Sequence, residues 1–125
     1  MISKITGILQ AWQATANPVN MYHAQAPEGL QMPYIVFLIV GDVPQNETSN
    51  GQAYSKMLVQ FSVFGTSDTQ VLGLQENLET VFNLKQINIP ATSAYPAISM
   101  QLKSNKIIKE DRLIWHGISE YLLLS

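Results

Sequence analysis

Apolar residues recur along this chain with two different periods. Ile2, Ile5, Ile8, Leu9 and Trp12 fall at intervals that put them on one helical stripe. Ala11, Ala14 and Ala16 favour the same structure, and Asn17-Pro18 ends it, because proline disfavours helix at the residue before it. The pattern predicts a first helix over Ser3 to Ala16. A second stripe, Val71, Leu74, Leu78, Val81 and Phe82, predicts another helix, with Glu76 and Glu79 facing water. Its start is marked by Ser67-Asp68-Thr69-Gln70, a hydroxyl with Gln three residues on, which fits a capping box.

Elsewhere the period is two. Val19 to His23 reads as a short strand leading into the turn-rich Ala26-Pro27-Glu28-Gly29. Tyr34 to Val40 is an unbroken apolar run of seven residues. It is short and β-branched, and it predicts a strand covered on both faces. Ala53 to Phe64 alternates, with Met57, Val59, Phe61 and Val63 on one side and Leu58, Gln60, Ser62 and Phe64 on the other. Ile87-Asn88-Ile89 is a candidate short strand before Pro90. After Pro96, Ile98, Met100 and Leu102 alternate with Ser99, Gln101 and Lys103, a half-solvated pattern. Lys109-Glu110-Asp111 reads as a turn, and Leu113 to Leu124 as the last strand.

The order is α-β-β-β-α-β-β. Two amphipathic helices each need an apolar surface, and a mainly antiparallel sheet supplies one. The expectation is a two-layer α+β fold, with four or five strands and both helices on one sheet face. Residues 1–125 read as a single domain, since about 100–200 residues is one domain's length. Between the second and third strands lies a polar stretch, Gly41 to Gln52. A tight hairpin needs only about two to five residues, so this longer loop is a candidate for contact with a partner. Its candidate interaction residues are Asp42, Gln45, Asn46, Glu47 and Asn50.

Composition changes the picture in one respect. Charged residues make up 13% of the chain, about half the usual ~25%. Gln, Asn, Ser and Thr fill the gap, with 36 residues together. Charge is depleted where surface is buried against partners, so the chain reads as an assembly subunit. The net charge of −2 gives no basic footprint for nucleic acid. With no cysteine, disulfides and thiolate metal sites are excluded. The start, Met1-Ile2-Ser3-Lys4-Ile5, lacks the continuous apolar core of a signal peptide. No apolar run approaches the ~20 residues of a membrane-spanning helix, and no membrane is expected. Asn46-Glu47-Thr48 matches a glycosylation sequon, read as chance in the absence of a secretory signal.

Little catalytic chemistry is visible. The only histidines are His23 and His116, and no G-x-S-x-G elbow occurs. His116 lies on the same strand face as Glu120, a pair that reads as structural. Asp42, Asn46 and Glu47 could gather around Mg²⁺ or Ca²⁺, but the spacing of a twelve-residue EF-hand loop is absent. A solvated polar loop is the plainer reading. The seven glycines are too dispersed for a phosphate cradle. Lys103, Lys106, Lys109 and Arg112 form the one basic cluster, partly offset by Glu110 and Asp111. It reads as a solvated hairpin tip, with contact to a DNA backbone a secondary property. No enzyme activity and no cofactor are expected.

The whole order of segments resembles the tail-completion, or tail-terminator, family of tailed bacteriophages. The matching residues after the leading helix are Tyr22, Ala26-Pro27-Glu28-Gly29 and Pro33-Tyr34-Ile35-Val36-Phe37. They continue with Val59 to Gly65 and the helix that follows, and with Asp111 to Tyr121 as the closing hairpin. The resemblance spans nearly the full length. It implies a small α+β subunit of a ring, usually a hexamer, on the head-proximal end of a phage tail. Such a ring caps the tail tube, then joins the tail to the head connector or stopper protein. DNA passes through without sequence-specific binding, and the protein resides in the virion. Long loops such as Gly41 to Gln52 would line the channel or reach a neighbour. The family's ring-contact residues do not transfer motif by motif. The alternative is a small cytosolic ligand-binding module or enzyme of α+β fold, with Tyr22, His23, His116 or Glu120 near a pocket.

Overall fold

A computed structural model describes residues 2–15, 18–42, 56–84, 86–88 and 97–124. In chain order the elements are α1 (Ile2–Gln13), β1 (Met21–His23), β2 (Tyr34–Asp42), β3 (Lys56–Gly65), α2 (Asp68–Phe82), β4 (Gln86–Asn88), β5 (Ala97–Asp111) and β6 (Ile114–Leu124). The strands form one sheet in the order β1-β2-β3-β6-β5-β4. Its pairings are antiparallel except for β1 with β2. This is the α+β fold that the hydrophobic pattern predicts. The short β4 falls on the candidate strand before Pro90 and brings the sheet to six strands, with a three-residue strand at each edge.

Alternation sorts each strand into an inner and an outer set. On the inner face, Ile35 lies beside Val63 and Gly117, Phe37 beside Phe61 and Ser119, and Ile39 beside Val59 and Tyr121. The helices supply the other half of the core. Ile8 and Trp12 come from α1, and Val71, Leu74, Leu78 and Phe82 from α2. Phe61 is the hub: its ring centroid is 5.1 Å from Phe82, 5.4 Å from Tyr121 and 5.8 Å from Phe37. Each such aromatic pair adds about 0.5–1.5 kcal/mol beyond area burial. α2 packs over β3, β6 and β5, while α1 reaches both edge strands.

Local chemistry fixes the ends of these elements. Ser67 caps α2 by accepting a hydrogen bond from the Gln70 backbone N–H at 3.1 Å. Gln70 answers through its side-chain oxygen, which accepts from the Thr66 N–H at 2.8 Å. This is the reciprocal capping that the sequence predicts, displaced by one residue at the return bond. At the far end, the Asn83 side-chain oxygen accepts from the Leu102 N–H at 2.9 Å. Leu84 N–H donates to the Met100 carbonyl at 2.7 Å. The exit of α2 is thus bound to β5. The end of α1 is tied down by Trp12, whose indole N–H donates to the Val19 carbonyl at 2.7 Å.

Two expectations need correction. β2 is not covered on both faces. Ile35 and Phe37 are fully buried, but Leu38 is 46% exposed and Val40 54%. Both helices lie on the other side of the sheet, so half of this apolar run has no covering layer among the described residues. The residues expected to turn at Lys109-Glu110-Asp111 belong instead to β5, and the turn falls at Arg112-Leu113.

Candidate interaction surface

The outer sheet face is built from three cross-strand rows. Tyr34, Phe64, His116 and Ile108 form the first. Val36, Ser62, Ile118 and Lys106 form the second, and Leu38, Gln60, Glu120 and Ser104 the third. A solvated sheet face usually carries polar side chains. Here each row has at least one large apolar residue, and Leu38, Val40 and Ile108 are exposed.

The first row is also the wall of a cavity. Tyr34 and Phe64 stack with centroids 5.1 Å apart, and Phe64 and His116 at 4.4 Å with only 14° between their planes. Leu30 and Met32, from the connector between β1 and β2, add apolar lining. Glu110 and Ile114 complete a cavity of about 500 Å³. His116 Nδ1 and Glu110 Oε1 are 2.8 Å apart. The other ring nitrogen, Nε2, is buried without a partner among the described residues. The pair orients an imidazole against an apolar wall. Tyr34, Glu110 and His116 are the polar side chains of the lining, so the wall offers positioning and hydrogen bonding.

The β5–β6 hairpin extends beyond the helical layer. Residues 105–110 are exposed one after another, so both faces of the strand meet solvent. Ile107, Ile108 and Leu113 are exposed there, Leu113 at 71%. The arm carries Lys103, Lys106 and Lys109, and Lys109 Nζ lies 5.5 Å from the centre of the Trp115 ring. The β4 pairing covers only Ala97 to Ser99, and Asn83 and Leu84 bond to Met100 and Leu102.

The structure separates the residues singled out in the sequence. Asp42 ends β2. Gln45, Asn46, Glu47 and Asn50 lie outside the described residues. His23 is on the inner face, its ring 5.1 Å from Phe37. Tyr22 lines a separate groove with Trp12 and Val19. Glu120 shares a sheet face with His116, but the partner of His116 is Glu110 from the neighbouring strand. Only His116 of the four pocket candidates lines the larger cavity. Leu30, Met32, Phe64 and Glu110 were not foreseen there, because cavity membership depends on cross-strand register.

Beneath α2 lies a set of buried polar groups. Gln75 donates to the Lys106 carbonyl at 3.0 Å, while its side-chain oxygen, Ser119 Oγ and Tyr121 OH have no partner among the described residues. Burial pushes the Tyr121 phenol well above its ordinary value, and the negative charge of Glu79 pushes it the same way. Among the described residues no group of three or more His, Asp or Glu side chains is placed to hold a metal ion. No described helix is long and apolar enough to cross a membrane.

No family model matches the sequence, and no curated protein sequence matches it either.

Proposed function

We propose that this chain is a structural subunit of a phage tail-terminator ring, which caps the tail tube and joins the tail to the head connector or stopper. The observation that carries this reading is the outer sheet face, which has at least one large apolar residue in every row and no described helix over it. A large exposed apolar patch marks an interaction site on a soluble protein. Four strands at about 4.8 Å spacing and nine residues at about 3.3 Å give roughly 570 Å². That is about 70% of the ~800 Å² each partner contributes to a standard interface. The fold order and the closing hairpin also agree with the resemblance in the sequence. The protein would act in the virion by forming contacts, with no turnover and no cofactor, and DNA would pass through the ring without being read.

The test is assembly. Light scattering and electron microscopy of the purified chain, alone and with tail tubes, should show a closed multimer at tube ends. Deleting Pro44 to Asn50 should leave the fold intact, since long surface loops cost little, and should impair head–tail joining. Tubes that stop at normal length without the protein would refute the reading.

The cavity at His116 favours a second reading, a small ligand-binding module. Its volume of about 500 Å³ lies in the range of ligand pockets, about 300–1,000 Å³. A thermal-shift screen separates the two. A bound ligand raises stability with the logarithm of its concentration over Kd, and a stabilising ligand whose effect is lost in Phe64→Ala would favour the module.

A further inference from the structure

The surface of this chain is divided by sign. α2 carries Asp68, Glu76 and Glu79 and no Lys or Arg. Asp68, Leu72 and Glu76 follow one another at four-residue intervals and are all exposed, so they form one stripe on the outside of the helix. Leu72 is 48% exposed, and Leu84, just past the helix end, 74%. The hairpin arm is the reverse. Lys103, Lys106 and Lys109 are exposed beside Ile107, Ile108 and Leu113. The arm's carboxylate Glu110 is drawn to His116 at 2.8 Å. The helix surface thus joins exposed apolar groups to carboxylates, and the arm joins them to four cations, Lys103, Lys106, Lys109 and Arg112, against the two carboxylates Glu110 and Asp111, so the net signs are opposite.

We infer that the β5–β6 hairpin of one copy docks on the outer face of α2 in the next copy. Charge decides the pairing. Two hairpins facing each other would oppose lysines to lysines, and two helices would oppose carboxylates to carboxylates. Like charges across an interface suppress such pairings. Hairpin on helix is the matched combination, with Ile108 and Leu113 able to cover Leu72. A contact between two different surfaces is heterologous, and heterologous contacts repeat into a ring when the rotation closes. This inference rests on the ring reading and names its contact surfaces.

The test is a charge exchange. Lys103→Glu/Lys106→Glu makes the hairpin acidic, and Asp68→Lys/Glu76→Lys leaves the helix with two lysines against Glu79, net basic. All four residues are exposed, and circular dichroism should confirm that each variant folds. The wild-type chain should self-associate, less strongly as salt rises. Each variant alone should associate about tenfold more weakly or worse, because like now meets like. An equimolar mixture of the two should assemble again, since every junction in an alternating ring then pairs opposite signs. A wild-type chain that stays monomeric at millimolar concentration overturns the contact. So does either variant assembling as well as wild type, or a mixture that fails to recover. Rings that survive both variants yet still cap tail tubes would sink the contact and leave the ring reading standing. Charge-sensitive rings that never engage tubes would do the opposite.

Discussion

The two faces of β2 are made of the same kinds of residue and have opposite fates. Inside, Ile35, Phe37, Val59, Phe61 and Val63 are fully buried beneath two helices. Outside, Tyr34, Val36, Leu38 and Phe64 alternate with them on the same strands, and no described helix covers them. What separates the sets is the partner, not the hydrophobicity. The inner face has its partner in the same chain. The outer face, on the reading proposed above, finds it in another molecule. Apolar content in a strand therefore reports that a surface will be covered, without reporting by what.

The sharpest way to break this comparison is to truncate one residue on each side. Leu78 on α2 is fully buried, and Leu78→Ala should cost about 2–5 kcal/mol. Leu38→Ser, on the outer face, should change the stability of the isolated chain by no more than about 0.5 kcal/mol, while weakening any assembly that uses this face. Denaturant unfolding of both variants measures the contrast. Equal losses would mean that the outer face is already covered within the chain.

A smaller effect is expected where the helical layer meets the sheet most closely. A Cβ at Gly117 would lie 2.5 Å from Val71 Cγ1 and 2.7 Å from Gln75 Nε2. Adding a methyl to a strand glycine ordinarily helps, but Gly117→Ala should here cost about 1–3 kcal/mol through overpacking. Adding Val71→Ala should recover part of that loss, a coupling read by a double-mutant cycle.

The smallest effect is one of pH. The Tyr121 phenol is raised above its ordinary value of 10.0 by burial first and by Glu79 second. The neutral form is therefore favoured in the folded chain. Its contribution to stability is complete below pH 10, and unfolding releases a proton above it, so stability should fall as pH rises further. Thermal melts from pH 9 upward should show this decline, shallower in Tyr121→Phe. An identical decline in both would assign the effect to other groups.

Most of the inner face was legible in the sequence. Of the stripe Val71, Leu74, Leu78, Val81 and Phe82, all but the partly buried Val81 are buried as the spacing implies, and Ser67 caps the helix it was expected to start. The misreadings share one cause: they needed information from another strand. A continuous apolar run cannot say which of its faces is covered, so β2 read as buried on both. Glu120 lies four residues beyond His116, about 13 Å along an extended strand. Glu110 is close only because β5 turns back beside β6. The length of β5 was hidden by Asn105-Lys106-Ile107-Ile108-Lys109, where strict alternation stops. A register irregularity between Leu102 and Ser104 shifts the faces just before that point. The cavity beside Phe64 and the sign division between helix and hairpin likewise depend on topology rather than on any local motif.

The position of β6 bears on how the chain is made. It is the last element in sequence, yet it stands in the middle of the sheet, between β3 and β5. During synthesis the first half of the sheet emerges well before the strand that must lie beside it. Val59 and Val63 then wait for Tyr121 and Gly117, partners more than fifty residues away. Contacts of such long sequence separation close slowly, and an unpaired apolar strand is exposed to other nascent chains meanwhile. The central strand is thus also the timing element: the two layers meet, and the inner face becomes dry, only once β6 has left the ribosome.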